Sequence, residues 1–350
     1  MIPPLSTPAL VVDLDVFDAN VAALSDLLRG TGKTVRPHVK THRTPELAKR
    51  QLGDSAVGVT CATVGEAEVM VAAGIHDVLI ANEVVDEAKL ERVVELSGQA
   101  QVGIVADDPG PVEALSRAAA RASVTVGVLI DVDVLLHRCG VASIPEALAL
   151  ARVIDAAPGV RLAGLMGYEG RVRLSTDRRD ERIAGAYQLL GETRRALVDA
   201  GFHVEVVSAG GTSTLREAIA DPTITEVQAG VYAVMEPELL AMDLPFRCAV
   251  TVRGTVISRH SGHFVADVGR RTVGLEYGPP VPVGLEATHI AVSDEHAIVT
   301  LAGAPPALGS QVDFIPRQIR TTFNLHDHVW ARRGSELVGY WPVSARGASQ

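Results

Sequence analysis

The chain predicts a (β/α)8 TIM-like barrel followed by a second, mostly β C-terminal domain. The first observation is the alternation, between about residues 34 and 230, of short β-branched runs with longer segments rich in Ala, Leu, Glu and Arg. Such alternation marks βαβ units and a parallel sheet. The second is the number of strand-like runs, which is eight: 34–38, 57–60, 78–80, 101–105, 124–130, 162–166, 204–208 and 226–229. Eight strands separated by helices suit a closed barrel, with a doubly wound open sheet as the alternative, because strand number alone does not show closure. The third is a change of texture after about residue 244, where alternating runs punctuated by Gly and Pro replace the helical patterns.

In chain order, the strand-like run 8–13 precedes a helical pattern at 16–28 and is expected to pair with the second domain. Between the barrel strands, apolar residues recur at helical spacing over 64–73, 112–121, 144–154 and 179–200. Runs 249–257, 297–301 and 329–332 alternate as half-buried strands do. The expected domains are therefore 14–243 for the barrel, and 1–13 plus 244–350 for the β domain.

Composition narrows the function. The 350 residues are 47% hydrophobic and 21% charged, ordinary globular values, with aromatics at only 4%. Net charge is −10 and the Lys and Arg residues are scattered, so no basic stripe exists to bind nucleic acid. The N-terminus lacks the basic stretch and apolar run of a signal peptide, and no apolar run approaches bilayer length, so a soluble, cytoplasmic protein without a membrane partner is expected. Cys61, Cys139 and Cys248 form no CxxC pair and read as buried, reduced thiols.

Functional groups of a parallel barrel gather at the C-terminal ends of its strands. The first such end, residues 36–43, carries Arg36, His38, His42 and Arg43 around Lys40. Like charges and burial disfavour an ammonium ion and would make Lys40 a competent amine nucleophile, although a solvated basic loop would look the same. The fifth end places Arg138 beyond an apolar strand, and the sixth is Gly167-Tyr168-Glu169-Gly170. The seventh delivers Ser208-Ala209-Gly210-Gly211-Thr212-Ser213-Thr214 directly before a helix, where backbone N–H groups can cradle a phosphate. The eighth delivers Gln228-Ala229-Gly230-Val231-Tyr232 beside it. Either glycine segment alone reads as a tight turn; two together, opposite a lysine, point to a phosphorylated cofactor.

PHVKTHR at 37–43, HRCGV at 137–141, SAGGTST at 208–214, VQAGVY at 227–232 and WPVSARG at 341–347 resemble the D-threonine aldolase and eukaryotic-type D-serine dehydratase family. Its members are fold-type III pyridoxal-phosphate enzymes related to alanine racemase. The resemblance covers nearly the whole chain and implies a small amino-acid substrate and a homodimer whose partner helps complete the active site. It makes Lys40 the Schiff-base lysine and general base, with Tyr168 beside the cofactor ring and Arg138 near it. His38 and Ser208 join the cofactor shell, and Gln228 takes the place of the racemases' pyridine-nitrogen arginine, where a neutral amide is not expected to hold that nitrogen protonated. Gly210, Gly211, Thr212, Gly230 and Tyr232 would bind the phosphate.

The chain departs from the family at the metal. Its members carry a divalent ion on PNHxC or PNHxD before a TVNL-like segment, whereas here residues 316–325 place Gln318 and Arg320 at the two ligand positions. An arginine cannot ligate a cation and repels it, so the sequence predicts that this site is lost. His326 and His328 downstream, read as two residues on one strand face, lack a third ligand. His296 matches a family element of the active-site wall. The expected activity is a lyase on a β-hydroxy D-amino acid, by retro-aldol cleavage or loss of water, with Arg320 supplying positive charge. The alternative is an amino-acid racemase or epimerase, for which His42 is the candidate second acid or base. A cofactor carrier without turnover is a third reading, opposed by the complete second domain.

Overall fold

The computed structural model describes residues 2–134, 136–170, 172 and 176–350. These form two compact units, one of residues Ser25–Lys40, Gln51–Gly230 and Ala348–Gln350, the other of Met1–Leu24, Thr41–Arg50 and Val231–Gly347.

Strand β1 (Ala9–Asp13) and helix α1 (Leu14–Leu28) open the chain. The barrel strands are β2 (Thr34–Val35), β3 (Val59–Cys61), β4 (Asp77–Glu83), β5 (Gln101–Ala106), β6 (Val126–Asp131), β7 (Val160–Gly167), β8 (Val206–Ala209) and β9 (Glu226–Val227). They run parallel in the order β2-β9-β8-β7-β6-β5-β4-β3. Parallel bridges Val35↔Ala56 and His38↔Thr60 join the two ends, so the ring closes. Each strand falls on a predicted run, but the first ladder stops at Val35 although the run reaches 38. Pro37 has no N–H to give, and only its carbonyl is used, by the Thr60 amide at 2.9 Å.

Between the strands lie α2 (Pro45–Gln51), α3 (Val64–Ala72), α4 (Glu87–Ser97), α5 (Pro109–Ala122), α6 (Ile144–Ala156), α7 (Arg179–Asp199) and α8 (Leu215–Ala220). Their starts are chemically set. Thr63 accepts the Glu66 amide at 3.1 Å while Glu66 reaches back to the Ala62 amide at 2.7 Å, and Ser143 and Glu146 repeat the arrangement before α6. Inside the ring, Leu79, Val105, Leu129, Ala163 and Met166 pack together. Gly103 and Gly127 have no side chains to fill the space below, and they border a cavity of about 370 Å³ at the N-terminal mouth. Arg36, Asp77 and Glu226 also line it.

In the other unit one sheet runs β13-β14-β11-β10-β1-β16-β17, where β10 is Val250–His260, β11 His263–Ala266, β12 Val281–Pro282, β13 Ala287–Val292, β14 Ala297–Leu301, β15 Gln311–Ile315, β16 His328–Arg333 and β17 Glu336–Pro342. The N-terminal strand joins this sheet as expected, antiparallel to β10 and parallel to β16. Most of β10 alternates buried with partly exposed positions, as a sheet with one packed face requires. The short helix α9 (Ile319–Asn324) stands before β16. Cys61 is buried, whereas Cys139 and Cys248 are partly exposed, so only the first of the three matches the expected burial; all three are free thiols.

Asn20 ties this unit together. Its buried amide donates to the carbonyls of Ala233 (3.0 Å) and Arg247 (2.7 Å) and accepts the Arg247 amide (2.9 Å). Asn20→Ala would leave those backbone groups without a partner away from water and should cost about 2–4 kcal/mol. Urea unfolding followed by circular dichroism would measure it, and a loss below about 0.5 kcal/mol would contradict this account.

Candidate active site

The C-terminal mouth of the barrel brings together three of the predicted residues around a fourth. Lys40, in the single 3-10 turn Val39–Thr41 after β2, places Nζ 5.8 Å from the centre of the Tyr168 ring. Arg138 places its guanidinium carbon 5.8 Å from the same centre. A Cβ built on Gly211 would lie 3.7 Å from Tyr168 Cε2, so the glycine leaves the space beside the ring open. The loop bearing Arg138 is held by carboxylates: Asp133 accepts the His137 amide at 2.8 Å, and Asp107 accepts the Gly140 amide at 2.9 Å. Gly140 has φ +104° and its Cβ would fall 2.5 Å from the Asp133 amide, which is why glycine follows Arg138-Cys139.

Glu169 organises the glycine turn. It is buried, and its carboxyl group accepts the Gly210 amide (3.3 Å), the Tyr187 hydroxyl (3.3 Å) and the Thr214 hydroxyl. Thr214 Oγ1 in turn accepts the Gly211 amide at 2.9 Å. The amides of Gly210 and Gly211 are thus given to the side chains of Glu169 and Thr214. Gly210 has φ +79° and packs so closely that a Cβ would come 2.7 Å from Ala218 Cβ. Arg179 fastens the next residue by donating to the Ser213 carbonyl at 2.8 Å. Burial pushes the Glu169 carboxyl above the usual carboxylate range, while its hydrogen bonds to Thr214 and Gly210 oppose that shift.

Ser208 is fully buried and donates its hydroxyl to Glu226 at 2.6 Å. Gln228 donates Nε2 to Ser208 Oγ at 2.9 Å, and its carbonyl oxygen meets no protein partner among the described residues. Glu226 also holds Arg36 (Nε–Oε2 2.9 Å), whose Nη1 lies 2.5 Å from Asp77 Oδ1. His38, Thr212 and Gly230 are buried.

A further carboxyl pair lies at the ends of β4 and β6. Burial, followed by the hydrogen bond and charge of Glu83, pushes Asp131 up to about 8. The same Glu83 lies against Cys139, whose thiol burial and that carboxylate push up to about 11. The motifs in the sequence do not single out Glu83, Asp131 or Glu169 at this mouth, nor Glu226, which opens β9 and borders the cavity at the opposite end. For the first three the signal available was an acid at or just beyond the end of an apolar strand, but its burial is a tertiary fact.

The remaining predicted residues belong to the other unit. Tyr232 is buried against Phe246, ring centres 5.6 Å apart. His42 is fully buried, accepts the Thr44 amide on Nδ1 at 3.1 Å and packs edge-on to Phe323. Arg320 donates Nη2 to Gln318 Oε1 at 3.0 Å and lies 3.6 Å from the buried Glu236 carboxylate. The two side chains at the expected metal-ligand positions are therefore bonded to each other. His326 is not on a strand: it precedes β16, and its Nε2 lies 2.8 Å from the Thr272 carbonyl. That nitrogen donates, since a carbonyl only accepts, and burial lowers the pKa of the ring. His328 stacks on Tyr340 instead, ring centres 4.4 Å apart, so the expectation of two histidines on one face is corrected. His296 sits exposed in the turn between β13 and β14. Among the described residues no group of three or more potential metal ligands occurs, and no helix is long and apolar enough to cross a membrane.

Comparison with known proteins agrees over the whole length. The alanine racemase N-terminal domain family matches residues 12–237, and a serine dehydratase domain family matches 249–331. D-threonine aldolase of Arthrobacter sp. is 36% identical over 99% of this chain and 94% of its own. 3-Hydroxy-D-aspartate aldolase of Paracoccus denitrificans (strain Pd 1222) is 30% identical over 98% and 92%. The crystal structure of D-threonine aldolase from Filomicrobium marinum superposes with a TM-score of 0.94 at 36% identity, covering 99% of this chain and 97% of that one. With the lysine, the tyrosine, the arginine and the glycine turn at the barrel mouth, the chain belongs to the D-threonine aldolase and D-serine dehydratase-like family of alanine racemase-fold enzymes.

Proposed function

We propose that the chain is a pyridoxal-phosphate lyase that cleaves the Cα–Cβ bond of a β-hydroxy D-amino acid, and that it does so without a divalent metal. The observation that carries the first part is the convergence of Lys40, Arg138 and Gly211 on Tyr168. An amine, a guanidinium, an aromatic face and a glycine-opened space are the donor set that a phosphorylated pyridine aldehyde requires. Lys40 would hold it covalently, Tyr168 would pack beside the ring, and Thr212 with Gly230 would receive the phosphate, since the amides of Gly210 and Gly211 are given to Glu169 and Thr214. Bound there, the cofactor supplies an electron sink for the pair released at the substrate's Cα.

Lys40 is then the group that moves a proton at Cα. In the cleavage the β-hydroxyl loses its proton, the Cα–Cβ bond breaks, a carbonyl forms at Cβ, and Cα regains a proton to give glycine and an aldehyde. Loss of water would use the same residues, but 36% identity to an aldolase over 99% of the chain, against 31% to a dehydratase over 78%, favours cleavage. Racemisation needs a second acid or base, and the burial of His42 against Phe323 gives it no support. Following the family, the proposal includes a cytoplasmic homodimer.

The metal-free reading rests on Gln318 and Arg320. A guanidinium donates hydrogen bonds and carries permanent charge, so Arg320 can hold a substrate hydroxyl or carboxylate oxygen. It cannot lower a hydroxyl's pKa as a bound metal does.

Two measurements test these assignments. Borohydride should fix the cofactor irreversibly to the peptide containing Lys40, and Lys40→Ala should abolish that adduct; the same adduct in the variant would remove Lys40 from its role. Arg320→Ala should reduce kcat/KM for D-threonine by about 10²- to 10³-fold, the size expected for removing one charged donor, with cofactor affinity changed less than about threefold. Equal losses in both would assign Arg320 to structure rather than substrate.

A further inference from the structure

Hydrogen-bond direction is forced along one buried chain of the barrel. Glu226 is held by Arg36, and a carboxylate so held offers only acceptors. Ser208 must therefore spend its single hydrogen on Glu226, at 2.6 Å. Its oxygen is then left as an acceptor for Gln228, 2.9 Å away, so Gln228 must turn Nε2, not Oε1, toward it. The amide orientation of Gln228 is fixed by a charge that is not its neighbour, and its carbonyl oxygen is the end without a protein partner among the described residues.

We infer that the Arg36–Glu226–Ser208 relay makes Gln228 a hydrogen-bond acceptor toward the cofactor's pyridine nitrogen, so that the bound ring keeps a proton there. This rests on the reading that Gln228 faces that nitrogen. Glu226 and Ser208 are positioning residues in this account, since they act through Gln228 and touch no reacting atom. An arginine at 228 would offer donors only and favour the bare nitrogen; the amide as oriented does the reverse without adding charge. The consequence is a stronger electron sink than an arginine partner permits, suited to releasing a carbon–carbon bond.

The relay also predicts how it can be inverted. In Glu226→Gln the new amide must keep Oε1 toward Arg36, which can only donate, and so turns its NH2 group to Ser208. Ser208 is then free to donate to Gln228 Oε1, and Gln228 swings its N–H toward the ring. Ser208→Ala keeps the Arg36–Glu226 pair but removes the orienting atom.

The experiment is 15N NMR of holoenzyme reconstituted with pyridoxal 5'-phosphate labelled at the ring nitrogen. Wild type should show the upfield signal of a protonated nitrogen. Glu226→Gln should move it downfield to the bare form, Ser208→Ala should lie between, and Gln228→Glu should remain upfield. Circular dichroism checks that each variant is folded; should Glu226→Gln not fold, Ser208→Ala decides alone. A downfield wild-type signal, or Ser208→Ala and Glu226→Gln signals identical to wild type while Gln228→Leu shifts, would overturn the relay. A Gln228→Leu signal identical to wild type would overturn the placement of Gln228 itself, and the relay with it.

Discussion

Buried carboxyl groups that must be satisfied without water set the geometry of the barrel mouth. Asp131 ends β6, Glu169 follows β7 by two residues and Glu226 opens β9, each 6% exposed or less. An acid in that setting must keep its proton or collect donors, and each does so by fixing something else. Asp131 pairs with Glu83 below the loop that carries Arg138. Glu169 gathers one amide and two hydroxyls and so shapes the glycine turn. Glu226 takes Arg36 and Ser208 and thereby orients Gln228. The apolar ring supplies rigidity, and these acids supply direction.

The parts of this arrangement differ in how far they could be read from the chain. Strand order and helix positions were legible because their signals are local: β-branched runs, capping pairs such as Thr63 with Glu66, and helical periodicity. Closure was not, since it depends on Ala56 and Thr60 reaching residues 35 and 38. The motif residues Lys40, Tyr168 and Arg138 were legible as words and meet around one ring. The supporting acids were not. Glu169 was visible in its motif as a charge beside Tyr168, but only the fold brings it to residues 210 and 214, more than forty positions away. His326 failed for a similar reason: α9 delays the strand until residue 328, and the histidine turns inward to a carbonyl.

Residues 318 and 320 are arranged around a buried acid in the same way. Where the resemblance places metal ligands, this chain presents a guanidinium bonded to a neutral amide, with the buried Glu236 carboxylate 3.6 Å away. Positive charge is retained and internally oriented. A cation placed there would meet a fixed like charge, and the acid that might have attracted it is already engaged by Arg320 and by the Ile319 amide at 3.3 Å. In the metal-free reading proposed above, the Arg320 guanidinium would stand in for the metal's positive charge.

The measurement that bears most directly on this is turnover under chelation. Holoenzyme dialysed against EDTA, with pyridoxal phosphate kept in the buffer, should convert D-threonine to glycine and acetaldehyde at the undialysed rate, and added manganese should change nothing. Activity that disappears on dialysis and returns with manganese or zinc would contradict the account.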